Sequence, residues 1–572
     1  MAPAAQPSTS APASGTAVLG VRRRARPRVR RRVRVPGGSG RHAAPTNGSL
    51  RWAGPLGVLV VAALARFWSL GAPGTLNFDE TYYVKDAWSL VHLGYEGSWL
   101  AADANALFQS GQVNGFSASA EYVAHPPLGK WIIGLGELAA GGAQNSAGWR
   151  LSVAIVGVLA VALLMVVAHR LFRNALVTTV AGGLFAIDTQ AIVMSRVSLL
   201  DNMVMFFALA AFACLIEDRF WVERRFGRWL MDHDGDAGGW GPTMLWRPWL
   251  LGVGVLTGLC TGVKWSGLYF LAAFVLYSIA SDMMLRRRAG IRFWYSATLL
   301  KQAWATVLVT IPVAVVAYLV CWTGWFVTNG GWDRHAVEDG ATARFTGLLA
   351  WVPLPLQNLW AWHASIYAFH IGLDSPHNYS APAILWPLIA RPTSIYSDGA
   401  SVAGGHGCQY GSCIAAILDI PNPLLWYAGI AATIYLIVRF VRRREWQGGI
   451  ILLGYVGGYL PWLLYPKRTI FFFYSIAFEP YLILCLAATI GLMVVRPPAS
   501  DLAGEAAFGE AAFGEREIVV AERNHGLRVR RGIVTGLLAA IVLVSVFFYP
   551  LTNGMQTPYW FWHIHMWSTT WI

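Results

Sequence analysis

RPWLLGVGVLTGLCTGVKWSGLYFLAAFVLYSIASDMMLRRR, residues 247–288, decides how the chain is read. Its apolar stretch, 249–284, lies between Arg247 and the run Arg286, Arg287 and Arg288. Both flanks carry the basic signature of a cytoplasmic membrane face, so the stretch must cross an even number of times. Two short spans, 249–263 and 265–284, satisfy this. The first has about 15 residues, roughly 22 Å of helix at 1.5 Å per residue. That is less than a hydrocarbon core roughly 30 Å thick. The tip between the arms, Gly262-Val-Lys264-Trp-Ser-Gly267, is therefore expected below the outer surface, inside protein. A charge at such depth costs roughly 2.5–3.5 kcal/mol, which makes Lys264 a candidate functional residue.

The same pattern extends along the chain. It has 572 residues, 56% hydrophobic and 13% charged, against roughly 25% charged in soluble domains. Apolar stretches recur at about 54–70, 149–169, 176–195, 199–217, 249–263, 265–284, 303–325, 422–438, 449–465, 469–494 and 532–549. This is the pattern of an all-α polytopic membrane protein with about eleven transmembrane helices. With the N-terminus cytoplasmic and the C-terminus extracytoplasmic, the inside loops hold 22 Lys/Arg and the outside segments 9, as the positive-inside rule requires. The first apolar run begins only near Gly54, so no N-terminal secretory signal is expected. Residues 1–50 are rich in Ala, Pro, Ser, Gly and Arg and are expected to be disordered. Their arginines (Arg22–Arg24, Arg26, Arg28, Arg30–Arg32, Arg34) would suit nucleic acid in another setting. Next to a membrane span they read as a cytoplasmic retention signal in contact with anionic lipid.

Two large segments are expected outside, 71–148 and 326–421. Within the second, 354–370 carries His363, Tyr367 and His370 near one helical face and reads as an amphipathic helix on the membrane. Segment 496–531, with the repeat Gly504-Glu-Ala-Ala-Phe-Gly509-Glu-Ala-Ala-Phe-Gly514, reads as a flexible cytoplasmic linker. Segment 532–572 reads as a last span with an aromatic tail (Trp560, Trp562, Trp567, Trp571) in the interfacial belt. Cys214, Cys260, Cys321 and Cys485 lie in apolar spans and read as small core residues. Cys408 and Cys413 share a polar loop, and a local disulfide is expected if that loop is extracytoplasmic. His563 and His565 lack a third metal ligand nearby.

The chemistry concentrates outside. Asn77-Phe-Asp-Glu-Thr-Tyr-Tyr83 places Asp79 and Glu80 just beyond the first span. An ordinary helix start explains this run in part, with Asn77 as N-cap and Glu80 closing a capping box. A cap can also hold a catalytic carboxylate rigid. The helix terminus would depress the pKa of Asp79 and burial would raise it. In His125-Pro-Pro-Leu-Gly-Lys130 the prolines start a helix, and Lys130 falls in its first turn, where the dipole disfavours a cation. An anionic ligand would account for it; so would a snorkelling surface lysine. Arg150 opens the second span from outside, and Arg196 and Asp201 flank a short outer turn, where they would also suit a structural ion pair. Arg468 lies in the outer turn Leu464-Tyr-Pro-Lys-Arg-Thr469. These cations would suit a lipid-linked phosphate. No Walker loop or dinucleotide fingerprint appears, which argues against soluble nucleotide donors.

These motifs resemble the protein O-mannosyltransferases, membrane glycosyltransferases of the GT-C class. The resemblance covers about 54–500 and implies a transmembrane catalytic region 51–495. It rests on Phe78-Asp79-Glu80, His125-Pro-Pro-Leu-Gly-Lys130, Arg196 with Leu200-Asp201-Asn202, Val263-Lys264-Trp265-Ser-Gly-Leu268, and Arg468 with Phe471, Tyr474 and Pro480, in that order. Eukaryotic members carry a luminal β-trefoil domain between spans seven and eight; the interval here, about 95 residues, leaves it out. The motif's end, Tyr474-Ser-Ile-Ala-Phe-Glu-Pro480, lacks the His-Tyr of those members, which resembles the actinobacterial branch. The resemblance implies a plasma-membrane enzyme with an extracytoplasmic active site. It would move mannose from polyprenyl-phosphate-mannose to Ser/Thr hydroxyls of exported or membrane proteins, beside membrane lipids and the secretion translocon, with no nucleic acid partner. It implies an inverting displacement in which Asp79 accepts the acceptor's proton and Glu80 orients the acceptor or Asp79. His125, Lys130, Arg150, Arg196, Asp201, Lys264 and Arg468 would bind the donor and its leaving phosphate. No cofactor is expected; a divalent metal could share the task, but no acidic cluster matches a hard cation.

Three other readings remain at this stage. The same topology would serve a GT-C enzyme acting on a lipid or cell-wall polysaccharide. A transporter would place polar residues on broken helices at the midplane, whereas these ionisable residues gather at the outer ends. A scaffold would not need the cations at the outer turns.

Overall fold

The computed structural model describes residues 50–233, 239–398, 401–402, 408, 411–495 and 513–572. The arginine-rich tail lies outside the described residues, as do 496–512 with most of the repeat. All described residues belong to one compact unit.

The described residues are predominantly helical, and among them six helices long and apolar enough to cross a membrane form the frame. These are α4 (Ser146–Phe172), α8 (Gly267–Arg288), α9 (Trp294–Cys321), α11 (Pro423–Arg443), α12 (Trp446–Leu464) and the apolar end, His525–Thr552, of the stretch that contains α14 (Phe513–Phe548). Shorter apolar helices accompany them: α1 (Leu50–Phe67), α5 (Ala175–Ile187), α7 (Pro248–Val263) and α13 (Glu479–Val494). The long helix α6 (Asp201–Asp232) has an apolar first half and a charged second half. The expected spans fall largely on helix, with these changes: stretch 176–195 breaks at Asp188, between Ala175–Ile187 and Thr189–Met194, and stretch 449–465 ends as a 3₁₀ turn, Leu460–Leu464. Stretch 469–494 starts as a 3₁₀ turn, Phe472–Ala477, and becomes α13 only at Glu479. Segment 513–531, read from sequence as linker, is helical and runs without a break into the last apolar helix.

Helix α7 is short, and its C-terminus abuts α8 through a folded tip. Lys264 leaves the helix in extended conformation, with its N–H bonded to Cys260 O at 3.1 Å, and the chain restarts at Gly267. A Cβ at Gly267 would stand 2.4 Å from Thr261 N, so only glycine permits this approach. Helix α7 packs between α6 and α9, which carries Lys264 into the protein.

The segments between spans are not purely helical. The first holds α2 (Glu80–Leu93), the antiparallel strands β1 (Gly97–Trp99) and β2 (Phe116–Ala120), and α3 (Leu128–Ala139). The second holds α10 (Leu354–Ile371) and β3 (Thr393–Ser397), β4 (Ser401–Val402) and β5 (Ser412–Asp419). β5 pairs antiparallel with β3 and β4, and also with β6 (Gln556–Pro558) from the C-terminal tail. A disulfide joins Cys408 to Cys413 at the start of β5. The tail is therefore not a simple aromatic belt. Trp560 and Trp567 are exposed, but Trp562 and Trp571 are buried, and Trp571 Nε1 donates to Ile389 O at 2.7 Å.

Candidate active site

Asp79 stands immediately before α2, whose entry is fixed by Glu80. The Glu80 carboxylate is fully buried and accepts four hydrogen bonds: from Arg150 Nε and Nη2 (both 2.8 Å), Asn77 N and Ser198 N (both 2.9 Å). The capping-box bond to Asn77 is present, but Asp79 itself makes no capping contact. With its acceptor positions filled, Glu80 has none left for a substrate hydroxyl. The reading in which it orients an acceptor gives way to one in which it holds the turn that carries Asp79.

Arg150 is corrected with it. Its remaining N–H groups bond the carbonyls of Leu70 (3.3 Å), Pro73 (2.9 Å) and Thr75 (2.9 Å), so its five donors are spent before any phosphate arrives. Arg196 does not pair with Asp201, and its terminal nitrogens are engaged by the backbone while its Nε has no partner among the described residues. It donates to Arg66 O (2.8 Å), Trp68 O (2.7 Å) and Ser69 O (3.0 Å), the carbonyls left over at the end of α1. The anion that Lys130 needs is supplied by the chain. Lys130 is buried, paired with Glu96, and donates to His125 O at 3.3 Å. Removing one member of a buried ion pair costs about 3–5 kcal/mol. Arg150→Ala is therefore expected to lower the thermal transition of the detergent-solubilised protein sharply, before any effect on the donor KM can be read.

A different set converges on Asp79. Tyr83, one helical turn on, points its hydroxyl at Asp79 Oδ2 (3.4 Å) and its ring toward His125 (6.1 Å between centroids). From the other side comes Lys264, whose Nζ donates to Asp201 Oδ2 at 2.7 Å and lies 4.9 Å over the Tyr474 ring. His125 stacks on His370 (5.4 Å, 26°), and Arg468 Nη2 reaches His370 Nδ1 at 3.1 Å. Burial raises the Asp79 pKa to about 6, with Lys264 pulling it down and Asp201 pushing it up. Burial and the charges of Lys264, Lys130 and Arg468 hold His125 well below the usual histidine range.

Sequence reading pointed to Asp79, His125, Asp201, Lys264 and Arg468 and missed the contacts of Tyr83 and His370. Tyr83 had a signal, its i+4 spacing from Asp79. Among the described residues no three His, Cys, Asp or Glu side chains are placed to hold a metal ion.

Next to this cluster lies an apolar cavity of about 530 Å³, walled by Trp265 and Leu268, Tyr318 of α9, and Trp360, His363 and Tyr367 of α10. His363 on its wall has both nitrogens bonded: Nδ1 bonds Leu359 O (2.6 Å) and Nε2 meets the Tyr318 hydroxyl (2.6 Å). Trp265 joins it to the charged cluster, since its ring also meets His370 at 5.8 Å.

Two family descriptions match the chain: dolichyl-phosphate-mannose-protein mannosyltransferase over residues 57–327, and the C-terminal four TMM region of protein-O-mannosyltransferase over 355–571. The polyprenol-phosphate-mannose–protein mannosyltransferase of Mycolicibacterium smegmatis is 30% identical over 540 residues, 92% of this chain and 94% of that one. The chain belongs to the protein O-mannosyltransferase family. The Mycobacterium tuberculosis mannosyltransferase of the same name is 31% identical over 527 residues, 90% of each chain. The Saccharomyces cerevisiae protein O-mannosyltransferase Pmt1-Pmt2 complex bound to the sugar donor superimposes with a TM-score of 0.64 at 13% identity, covering 93% of each chain. This protein O-mannosyltransferase thus keeps the family's membrane fold across very distant sequences.

Proposed function

We propose that the chain transfers mannose from polyprenyl-phosphate-mannose to Ser/Thr hydroxyls of proteins leaving the cytoplasm. The observation that carries this reading is the convergence of one half-buried carboxylate, Asp79, with Lys264 and the partly free guanidinium of Arg468. Asp79 accepts the hydroxyl proton as the acceptor oxygen attacks the anomeric carbon. The bond from that carbon to the phosphate oxygen breaks with inversion, and the polyprenyl phosphate leaves toward the cations. Asp201 holds Lys264 in place, and the apolar cavity beside Trp265 accommodates the start of the polyprenyl chain. The relatives' names support the donor and acceptor classes. The charge pattern supports eleven crossings, a cytoplasmic N-terminus, and a site on the outer face of the plasma membrane, where acceptors emerge from the translocon.

The test supplies purified protein in lipid with labelled polyprenyl-phosphate-mannose and, in separate reactions, a Ser/Thr-rich peptide or a glycolipid. Label is expected on the peptide. Label on the glycolipid alone would replace this reading with one of lipid or polysaccharide glycosylation. Label moved across the bilayer without transfer would make the protein a transporter.

A further inference from the structure

His370 is the one residue of α10 that touches both the His125-Pro-Pro segment and the Arg468 turn. Its Nε2 lies 3.0 Å from Ala124 O, and its Nδ1 lies 3.1 Å from Arg468 Nη2. The chemistry of the partners fixes the tautomer. A carbonyl only accepts, so Nε2 carries the hydrogen; a guanidinium only donates, so Nδ1 is bare. The ring is therefore neutral. Burial and the charge of Arg468 agree, holding its pKa down to about 4. A protonated ring would set an N–H against the guanidinium.

Arg468 is consequently gripped at one nitrogen. Nη2 faces His370, and the guanidinium lies over the Trp462 ring at 5.7 Å. Nε is buried without a partner among the described residues. A buried N–H left without an acceptor costs free energy until an acceptor arrives, and an ionised phosphate oxygen is the acceptor a guanidinium binds best.

Resting on the donor assignment above, we propose that His370 is a positioning residue for the leaving phosphate. As a neutral acceptor anchored to Ala124, it fixes Arg468 through Nη2 so that the unpartnered Nε–H is left for the lipid phosphate, and it holds the His125-Pro-Pro segment in register with it. His363, seven residues earlier on the same helix, lacks this role because both its nitrogens are closed by Leu359 and Tyr318.

The experiment measures binding rather than turnover. Full-length protein in lipid nanodiscs is titrated with polyprenyl phosphate, following tryptophan fluorescence. His370→Phe is expected to weaken binding about tenfold, the scale of one hydrogen bond to a charged group. In an Arg468→Gln background the same substitution is expected to change nothing further. His370→Asn, which keeps an acceptor near the Nδ1 position, should recover most of the loss, and His370→Gln, whose reach favours the Ala124 contact, should not. Equal loss from His370→Phe in both backgrounds, no loss in either, or a Gln variant that binds better than Asn would overturn the proposal. Should His370→Phe fail to fold, the order of the Asn and Gln variants decides. Wild-type protein that does not bind polyprenyl phosphate would instead remove the donor assignment, and the role of His370 with it.

Discussion

Asp79→Asn is expected to lower kcat/KM for peptide mannosylation by about 10²–10⁴, the usual contribution of a positioned base, while the thermal transition stays at its wild-type value. The two halves of this expectation have separate causes. Asparagine has the shape of aspartate and keeps an oxygen for the Tyr83 hydroxyl, and the turn is held by Glu80 and Arg150 rather than by Asp79. The fold has little reason to notice the change. The chemistry does, because an amide cannot take a proton from an attacking hydroxyl. Activity retained in full would remove Asp79 as the base. Activity lost together with stability would make it a structural acid.

Lys264→Met is expected to act twice. It removes a cation from the leaving phosphate, for which a loss of about 10²–10³ in kcat is the usual scale for one electrostatic stabiliser. It also removes the charge that pulls the Asp79 pKa down and leaves Asp201, which pushes it up. A base works only when ionised, so the rate falls as pH drops through the Asp79 pKa, near 6 in the native protein. Without Lys264 that acid limb should move to higher pH. Adding Asp201→Asn removes the opposing charge and should return the limb toward its native position without restoring the rate at its plateau. A pH–rate profile of the three proteins separates the two effects. An acid limb that does not move would mean that Asp79 and Lys264 do not share a site.

What could be read from the sequence followed from cost. Lys264 was conspicuous because a lysine at the tip of a short helix pair is expensive, and Asp79 because an acidic pair stood just beyond a span. Partners were not legible, because they depend on which segments pack together. Arg150 and Arg196 looked like phosphate ligands by charge and position. The donors of Arg150 are instead consumed by Glu80 and by backbone carbonyls up to Thr75, and both terminal nitrogens of Arg196 by carbonyls at and just beyond the end of α1. Asp201 was matched with the cation nearest in sequence, but Lys264 is the one that α7 brings to it. β1 and β6 escaped notice because they have three residues each, too few to show an alternating pattern.

The pairing of β6 with β5 also orders the protein's biosynthesis. Residues 556–558 are made after every helix from α1 to α14, yet they cover the edge of β5 at Cys413–Ala415. Until they are made that edge remains open, and an open strand edge invites foreign pairing. Residues 556–558 therefore act as the closing stitch of this sheet, and a nascent chain lacking them would present an unfinished edge to quality control.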